Sequence, residues 1–138
     1  MNRMFGNAST FNQDISGWDV SSVTDMRLIF ASASAFNQDI STWNVSSVTR
    51  MSTMFSGASN FNQNLSNWDV SAVTDMFEGI ALSVVNYDAL LLGWSVQSLQ
   101  NDVIFSGGNS TYSSSSQGAR DTLTGTYNWT VTDGGVAP

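Results

Sequence analysis

The chain opens with one 25-residue unit written three times without a gap. Met1–Asp25 reads MNRMFGNASTFNQDISGWDVSSVTD. Met26–Arg50 reads MRLIFASASAFNQDISTWNVSSVTR, and Met51–Asp75 reads MSTMFSGASNFNQNLSNWDVSAVTD. A unit this short cannot bury its own apolar face. A fixed period of this size therefore predicts a solenoid in which each unit is covered by its neighbours.

Alignment of the units shows which positions are held. Phe11, Phe36 and Phe61 agree, as do Trp18, Trp43 and Trp68, and Val20, Val45 and Val70. Phe5, Phe30 and Phe55 and the valines Val23, Val48 and Val73 follow the same rule, and Ile15, Ile40 and Leu65 are equivalent in bulk. Stacked as columns, these residues form a continuous core. The spacing I-x-x-W-x-V from Ile15 to Val20 fits the frame of a leucine-rich repeat. It predicts a short parallel strand at Gly17–Val20, with Trp18 and Val20 inward and Asp19 and Ser21 outward. Apolar spacings of three and four from Val23 to Ala33 predict a short helix or 3₁₀ segment. Asn12, Asn37 and Asn62 are expected to form a ladder that satisfies the backbone of adjacent turns.

The period then decays. Residues 76–100 read as a degenerate fourth unit, with Asn86-Tyr87 near the Phe-Asn step and Trp94 one residue late. Residues 101–138 read as a capping segment, because the last coil of a solenoid needs a lid over its apolar end. A helix is expected from Tyr87 to Leu99, ahead of this segment, and within it a strand at Val103–Phe105, a short helix at Gly118–Leu123 and a strand at Trp129–Val131. The fold class expected is an α/β repeat solenoid. It is a right-handed, leucine-rich-repeat-like coil with short parallel strands and short helical segments, closed by a C-terminal α/β cap. Met1 holds the repeat position of Met26, Met51 and Met76, so the chain is expected to be a piece of a longer protein. Its first coil is then bare and available for self-association.

Composition excludes several functions. The formal net charge is −7, with 11 acidic residues, four arginines and no lysine or histidine. A nucleic-acid ligand needs cations to displace counterions from phosphate, and an anionic membrane surface needs them too. No apolar run has the length of a membrane span, and Met1-Asn2-Arg3 leads into a repeat rather than into the apolar core of a signal peptide. Cysteine is absent, which rules out disulfides and thiolate metal sites. Without histidine or cysteine a nucleophilic triad in its usual form cannot be built.

The motif F-N-Q-[DN]-[IL]-S-x-W-[DN]-V-S-x-V-T-[DR]-M-x-x-[MI]-F resembles the bacterial surface-protein repeat of about 26 residues found in lipoproteins and adhesin-like proteins, grouped with BspA-like leucine-rich-repeat proteins. The tail, with Y-D-A-L-L-L-G-W and V-I-F-S-G-G-N-S-T-Y, resembles the segment that closes such arrays. The resemblance implies extracellular or cell-surface display and binding or adhesion. It implies no catalytic residues. Valine in place of the leucine-rich Asn ladder, and aromatics in place of leucines, imply a different coil cross-section.

The candidate ligand-contact strip is the outward row Asp19, Asn44 and Asp69, flanked by Thr42, Asn67, Ser21, Ser46 and Ser71; a solvated sheet face is the plainer reading. Asp14 and Asp39 fall side by side in adjacent coils. Each either caps its own turn or shares a bridging calcium ion, the one cofactor the sequence suggests. Asp25, Arg50 and Asp75 alternate in sign and predict a surface ion-pair ladder. The tryptophans read as core or, if exposed, as glycan platforms. Asn7, Asn44, Asn64, Asn109 and Asn128 each open a glycosylation sequon, which a chain so rich in Asn and Ser meets by chance. The function expected is a non-catalytic module that binds a protein or glycan. The second expectation is a structural element that stacks through its open end.

Overall fold

The computed structural model describes all of residues 1–138. The three repeats lie one on another, so residues about 25 apart are neighbours. Backbone N–H groups of Met26, Leu28, Phe30 and Ser32 donate across the stack to the carbonyls of Arg50, Ser52, Met54 and Ser56, each 24 residues on, at 2.9, 3.2, 3.0 and 2.7 Å. The intervening N–H groups of Ile29, Ala31 and Ala33 instead close turns on Met26, Leu28 and Phe30 of their own repeat. Alternate peptides thus serve the coil and its neighbour.

This alternation needs left-handed backbone at two places per coil. Leu28 and Ser32 have φ of 62° and 61°, and Arg3, Asn7, Thr53 and Gly57 repeat those positions. A positive φ at the third residue of a four-residue turn is the type II signature. The helix expected between Val23 and Ala33 does not form. Successive turns, not a helix, produce the apolar spacings of three and four, and they bury Met26, Ile29, Phe30 and Ala33.

The strand expected at Gly17–Val20 is also absent. The Trp18 N–H turns back onto Ile15 and the Val23 N–H onto Val20. Asp14 and Asp19 each accept the N–H two residues on. With the chain bent this often, no extended run survives. Parallel bridging falls instead at Asp25, Arg50 and Asp75.

Side chains tie the coils together. Asn12 Oδ1 accepts the N–H of Asn37, and Asn37 Oδ1 accepts that of Asn62, both at 2.9 Å. Gln38 and Gln63 donate to the backbone carbonyls of Asn12 and Asn37. The indole N–H of Trp43 reaches the Ile15 carbonyl at 3.1 Å, and that of Trp68 reaches Ile40 at 3.0 Å. Two phenylalanine columns run through the core. Phe5, Phe30 and Phe55 stack with centroids 5.7 and 5.9 Å apart, and Phe11, Phe36 and Phe61 at 5.9 and 5.8 Å.

The last coil is covered by a helix. Helix α1 spans Val84–Ser95 and starts at Ser83, whose hydroxyl accepts the Asn86 N–H. In the repeats Phe, Ile or Leu, and Trp are spaced F-x-x-x-[IL]-x-x-W. Tyr87, Leu91 and Trp94 keep that spacing. Offsets of four and seven also define one face of a helix. The residues between decide which form appears. The repeats carry Asn, Gln, Asp and Ser, which favour turns, whereas α1 carries Asp88, Ala89, Leu90 and Leu92, mostly helix formers. Tyr87, Leu91 and Trp94 are fully buried, and the Trp94 indole donates to the Leu65 carbonyl as the repeat tryptophans do to theirs. A Cβ on Gly93 would run into the Ser66 carbonyl, so only glycine lets the helix lie this close.

The cap follows in the order β1 (Ile104–Ser106), a 3₁₀ turn (Ser114–Ser116), α2 (Gln117–Gly125) and β2 (Thr130–Thr132). The two strands pair in parallel, Phe105 opposite Val131. Arg120 on α2 donates to the buried Asp133 carboxylate at 2.8 Å, and Tyr87 of α1 donates to the same oxygen at 2.8 Å. This pairing joins the lid to the helix. Burial, and then the Asp133 carboxylate, push the Tyr87 phenol far above its ordinary value.

Candidate binding surface

The outward row is exposed, and its side chains already have work. Asp19, Asn44 and Asp69 each accept, through one oxygen, the hydroxyl of Ser21, Ser46 or Ser71 at 2.6, 2.7 and 2.6 Å. The same oxygens accept the backbone N–H of those serines. The Ser21 hydroxyl and then its N–H hold the Asp19 carboxyl below its ordinary value. Each row residue thus closes a turn with one atom and leaves the other, Oδ2 of the aspartates or Nδ2 of Asn44, without a hydrogen-bond partner in the chain. Thr42 and Asn67 are exposed beside them, and Thr42 reaches back to the Ser16 carbonyl at 3.4 Å. The strip residues form one face of repeated turns rather than the outer face of a sheet.

Asp14 and Asp39 cap their own turns, on Ser16 and Ser41 at 2.9 Å each. These bonds lower both carboxyls, and the neighbouring Asp14 charge works against the lowering at Asp39. Asn64 makes the same bond to Ser66 without a charge. The geometry fits the turn-capping reading, and no cluster of three or more acidic groups lies near that could complete a cation site.

Of the sign-alternating ladder, one step is an ion pair. Arg50 lies 3.5 Å from Asp25, and Arg27 grips the same carboxylate at 2.7 Å. Arg27, one residue past the expected ladder, is its main partner. Its hydrogen bonds hold the Asp25 carboxyl down to about 2, against some desolvation. The sequence gives a signal for this in the spacing D-x-R, which only this copy has. Asp75 bridges Arg50 through backbone and forms no ion pair.

The core columns hold in the second and third coils and, in the first, at Ile15 and Val20. Trp43, Trp68, Phe36, Phe61, Val20, Val45 and Val70 are buried. Trp18, expected in the core, is 42% exposed, and Phe11 is half-buried. In this coil the aromatic members Phe5, Phe11 and Trp18 lack the layer that buries their equivalents, while Ile15 and Val20 are covered from the second coil. The three aromatics form a platform in which Phe5 stacks on Phe11 at 3.9 Å and tilts against Trp18 at 5.7 Å. No enclosed pocket interrupts the surface, and no helix is long and apolar enough to cross a membrane.

No curated protein and no solved structure matches the chain. A family profile matches residues 1–111, which hold the three repeats and α1: the chain belongs to the family described as Mycoplasma protein of unknown function, DUF285.

Proposed function

We propose that the chain is a non-catalytic module of a bacterial surface protein that binds a protein or glycan ligand along its exposed polar row. The observation that carries this reading is the row itself. Asp19, Asn44 and Asp69 present one solvent-facing polar atom per coil, at a fixed interval and on turns locked by Ser21, Ser46 and Ser71. A rigid periodic row suits a repetitive ligand, because little side-chain entropy is lost on contact. The stacked coils support a leucine-rich-repeat-like, right-handed solenoid of the BspA-like surface type, and extracellular display goes with that type. The carboxylates cap turns unaided, so the reading needs no cofactor.

The test is a panel of glycans and extracellular-matrix proteins probed with the native chain and with Thr42→Arg/Asn67→Arg. Both substituted residues are exposed, so the melting temperature should hold while binding falls at least tenfold. Equal binding by the two proteins would remove the row from the reading. Absence of any ligand across the panel would count against the binding function.

The second reading is a structural element that stacks through its open coil. The exposure of Trp18 and the uncovered Phe5–Phe11 pair favour it. Light scattering across a concentration series tests it through growth in mass that Trp18→Ser abolishes.

A further inference from the structure

The hydrogen-bond ladder between coils stops partway along the third. Backbone N–H groups donate to the carbonyl 24 residues on: Arg3, Phe5 and Asn7 to Arg27, Ile29 and Ala31, then Leu28, Phe30 and Ser32 to Ser52, Met54 and Ser56. Met51 still reaches Asp75 at 2.6 Å. The next three donors, Thr53, Phe55 and Gly57, have no partner, although Phe55 is only 1% exposed. A buried N–H without an acceptor is rare, because it gives up water and gains nothing. The carbonyls at the matching offset are those of Phe77, Gly79 and Ala81. From Met76 to Ala81 no backbone N–H is bonded. Of the carbonyls there, only that of Phe77 accepts, from the Ser106 N–H of β1 at 3.4 Å.

Phe77 accounts for the break. It holds the repeat position of Asn2, Arg27 and Ser52, which are polar. Here the side chain is buried, its ring 5.2 Å from Phe55, 5.8 Å from Trp94 and 5.6 Å from Phe105. Turning that ring inward carries the backbone off the path of a coil. Gly79 absorbs the change at φ 72°, in the left-handed region that glycine enters freely. Tyr87, Leu91 and Trp94 follow Phe61, Leu65 and Trp68 by 26 residues rather than 25, so this stretch has one residue of slack.

We propose that residues 77–81 are a strap with two positions, held open by the Phe77 ring and able to close on the third coil. In the closed position the ring leaves the core. The carbonyls of Phe77, Gly79 and Ala81 then accept from Thr53, Phe55 and Gly57 and extend the ladder by a fourth layer. Glu78 takes left-handed backbone, as Arg3, Leu28 and Thr53 do at that place. Closing turns the Phe77 carbonyl away from Ser106, so the strap couples the stack to the edge of β1. It is a bistable element of the kind that a small local change can tip.

Glu78 is the one glutamate of the chain, and it is exposed beside exposed Gly79. A protease used under glutamate-selective conditions therefore cuts the open strap at a single bond. The full-length native chain is compared with Phe77→Ser, which removes the ring. Cleavage should slow at least tenfold. Hydrogen exchange should slow at Thr53 and Gly57 and quicken at Ser106. In the native chain Thr53 and Gly57 should exchange at least tenfold faster than Leu28 and Ser32. Equal rates there would mean that the ladder already runs on, and would overturn the proposal. Cleavage of Phe77→Ser at the native rate overturns it too. A loosened fold raises cleavage instead. In that case Phe77→Ser/Gly79→Ala decides, because a Cβ at position 79 meets nothing yet penalises the left-handed open form. Its cleavage must then fall below the native rate, after correction for the rate on a short peptide of the same sequence. Otherwise the strap has no closed position.

Discussion

The indole N–H of Trp43 donates to the carbonyl of Ile15, 28 residues earlier, at 3.1 Å. One side chain therefore fills the core of its own coil and satisfies the backbone of the previous one. Trp68 and Trp94 repeat the contact.

Trp43→Ala should cost about 3–5 kcal/mol, the range for a buried large aromatic. Trp43→Phe should cost about 1–3 kcal/mol, because it leaves the Ile15 carbonyl without its partner. Trp18→Ala should cost under about 1 kcal/mol, since that side chain is half in water. Urea denaturation measures all three. Equal losses at positions 18 and 43 would contradict the bare first face.

Gly93→Ala places a Cβ against the Ser66 carbonyl and should cost about 1–3 kcal/mol by overpacking. The methyl group would otherwise favour the helix by about 1 kcal/mol. A rise in melting temperature would show that α1 can lift off the third coil freely.

Thr53 is β-branched and sits at φ 54°, where L side chains are disfavoured by about 1–2 kcal/mol. Thr53→Gly should stabilise the fold by up to about 1 kcal/mol, after the entropy that glycine loses on folding. Gly57→Ala, at φ 74°, should destabilise by about 1 kcal/mol. Thermal melts of the two variants should move in opposite directions.

Asp25 supplies a pH dependence. Its carboxyl falls from 3.8 to about 2 on folding, so the native state favours the charged form. The stability this provides is complete above pH about 4 and is lost as pH falls through about 2. Solvent screening of this surface site limits it to about 1 kcal/mol. Asp25→Asn should flatten the acid limb of the stability profile over that window. An unchanged limb would show that the Arg27 contact opens in solution.

Asp39→Asn keeps the turn-closing oxygen and should cost under about 0.5 kcal/mol, as Asn64 already shows the amide in that place. Asp39→Ala should cost about 1 kcal/mol. Millimolar calcium should leave the native melting temperature unchanged. A rise reversed by EDTA would show that Asp14 and Asp39 share an ion.

The period, the columns and the Asn12–Asn37–Asn62 ladder were legible because identical residues at identical offsets admit few arrangements. The cap elements were legible because Leu90, Leu91 and Trp94, or Val103 to Phe105, follow ordinary local patterns. The interior of the repeat was not. Met26, Ile29, Phe30 and Ala33 have helical spacing, yet consecutive turns with left-handed residues meet the same spacing. Leu28 and Thr53 are residues that no propensity places in left-handed backbone. The strip residues were found, but their local role was hidden. Whether Asp19 faces a ligand or folds back on Ser21 depends on a bend that period-2 alternation does not anticipate. Arg27 was missed as the main partner of Asp25 because only one copy carries it.

Tyr87, Leu91 and Trp94 meet the third coil in the register of a repeat while belonging to a helix. Growth and termination of the array therefore share one template face, and the difference is written only in the residues between the anchors. With Ala and Leu in place of Asn, Gln and Ser there, the layer is a helix, and what packs on it is the cap rather than another repeat. The contacts beneath are the same in both cases: the Trp94 indole meets the Leu65 carbonyl as the Trp68 indole meets that of Ile40.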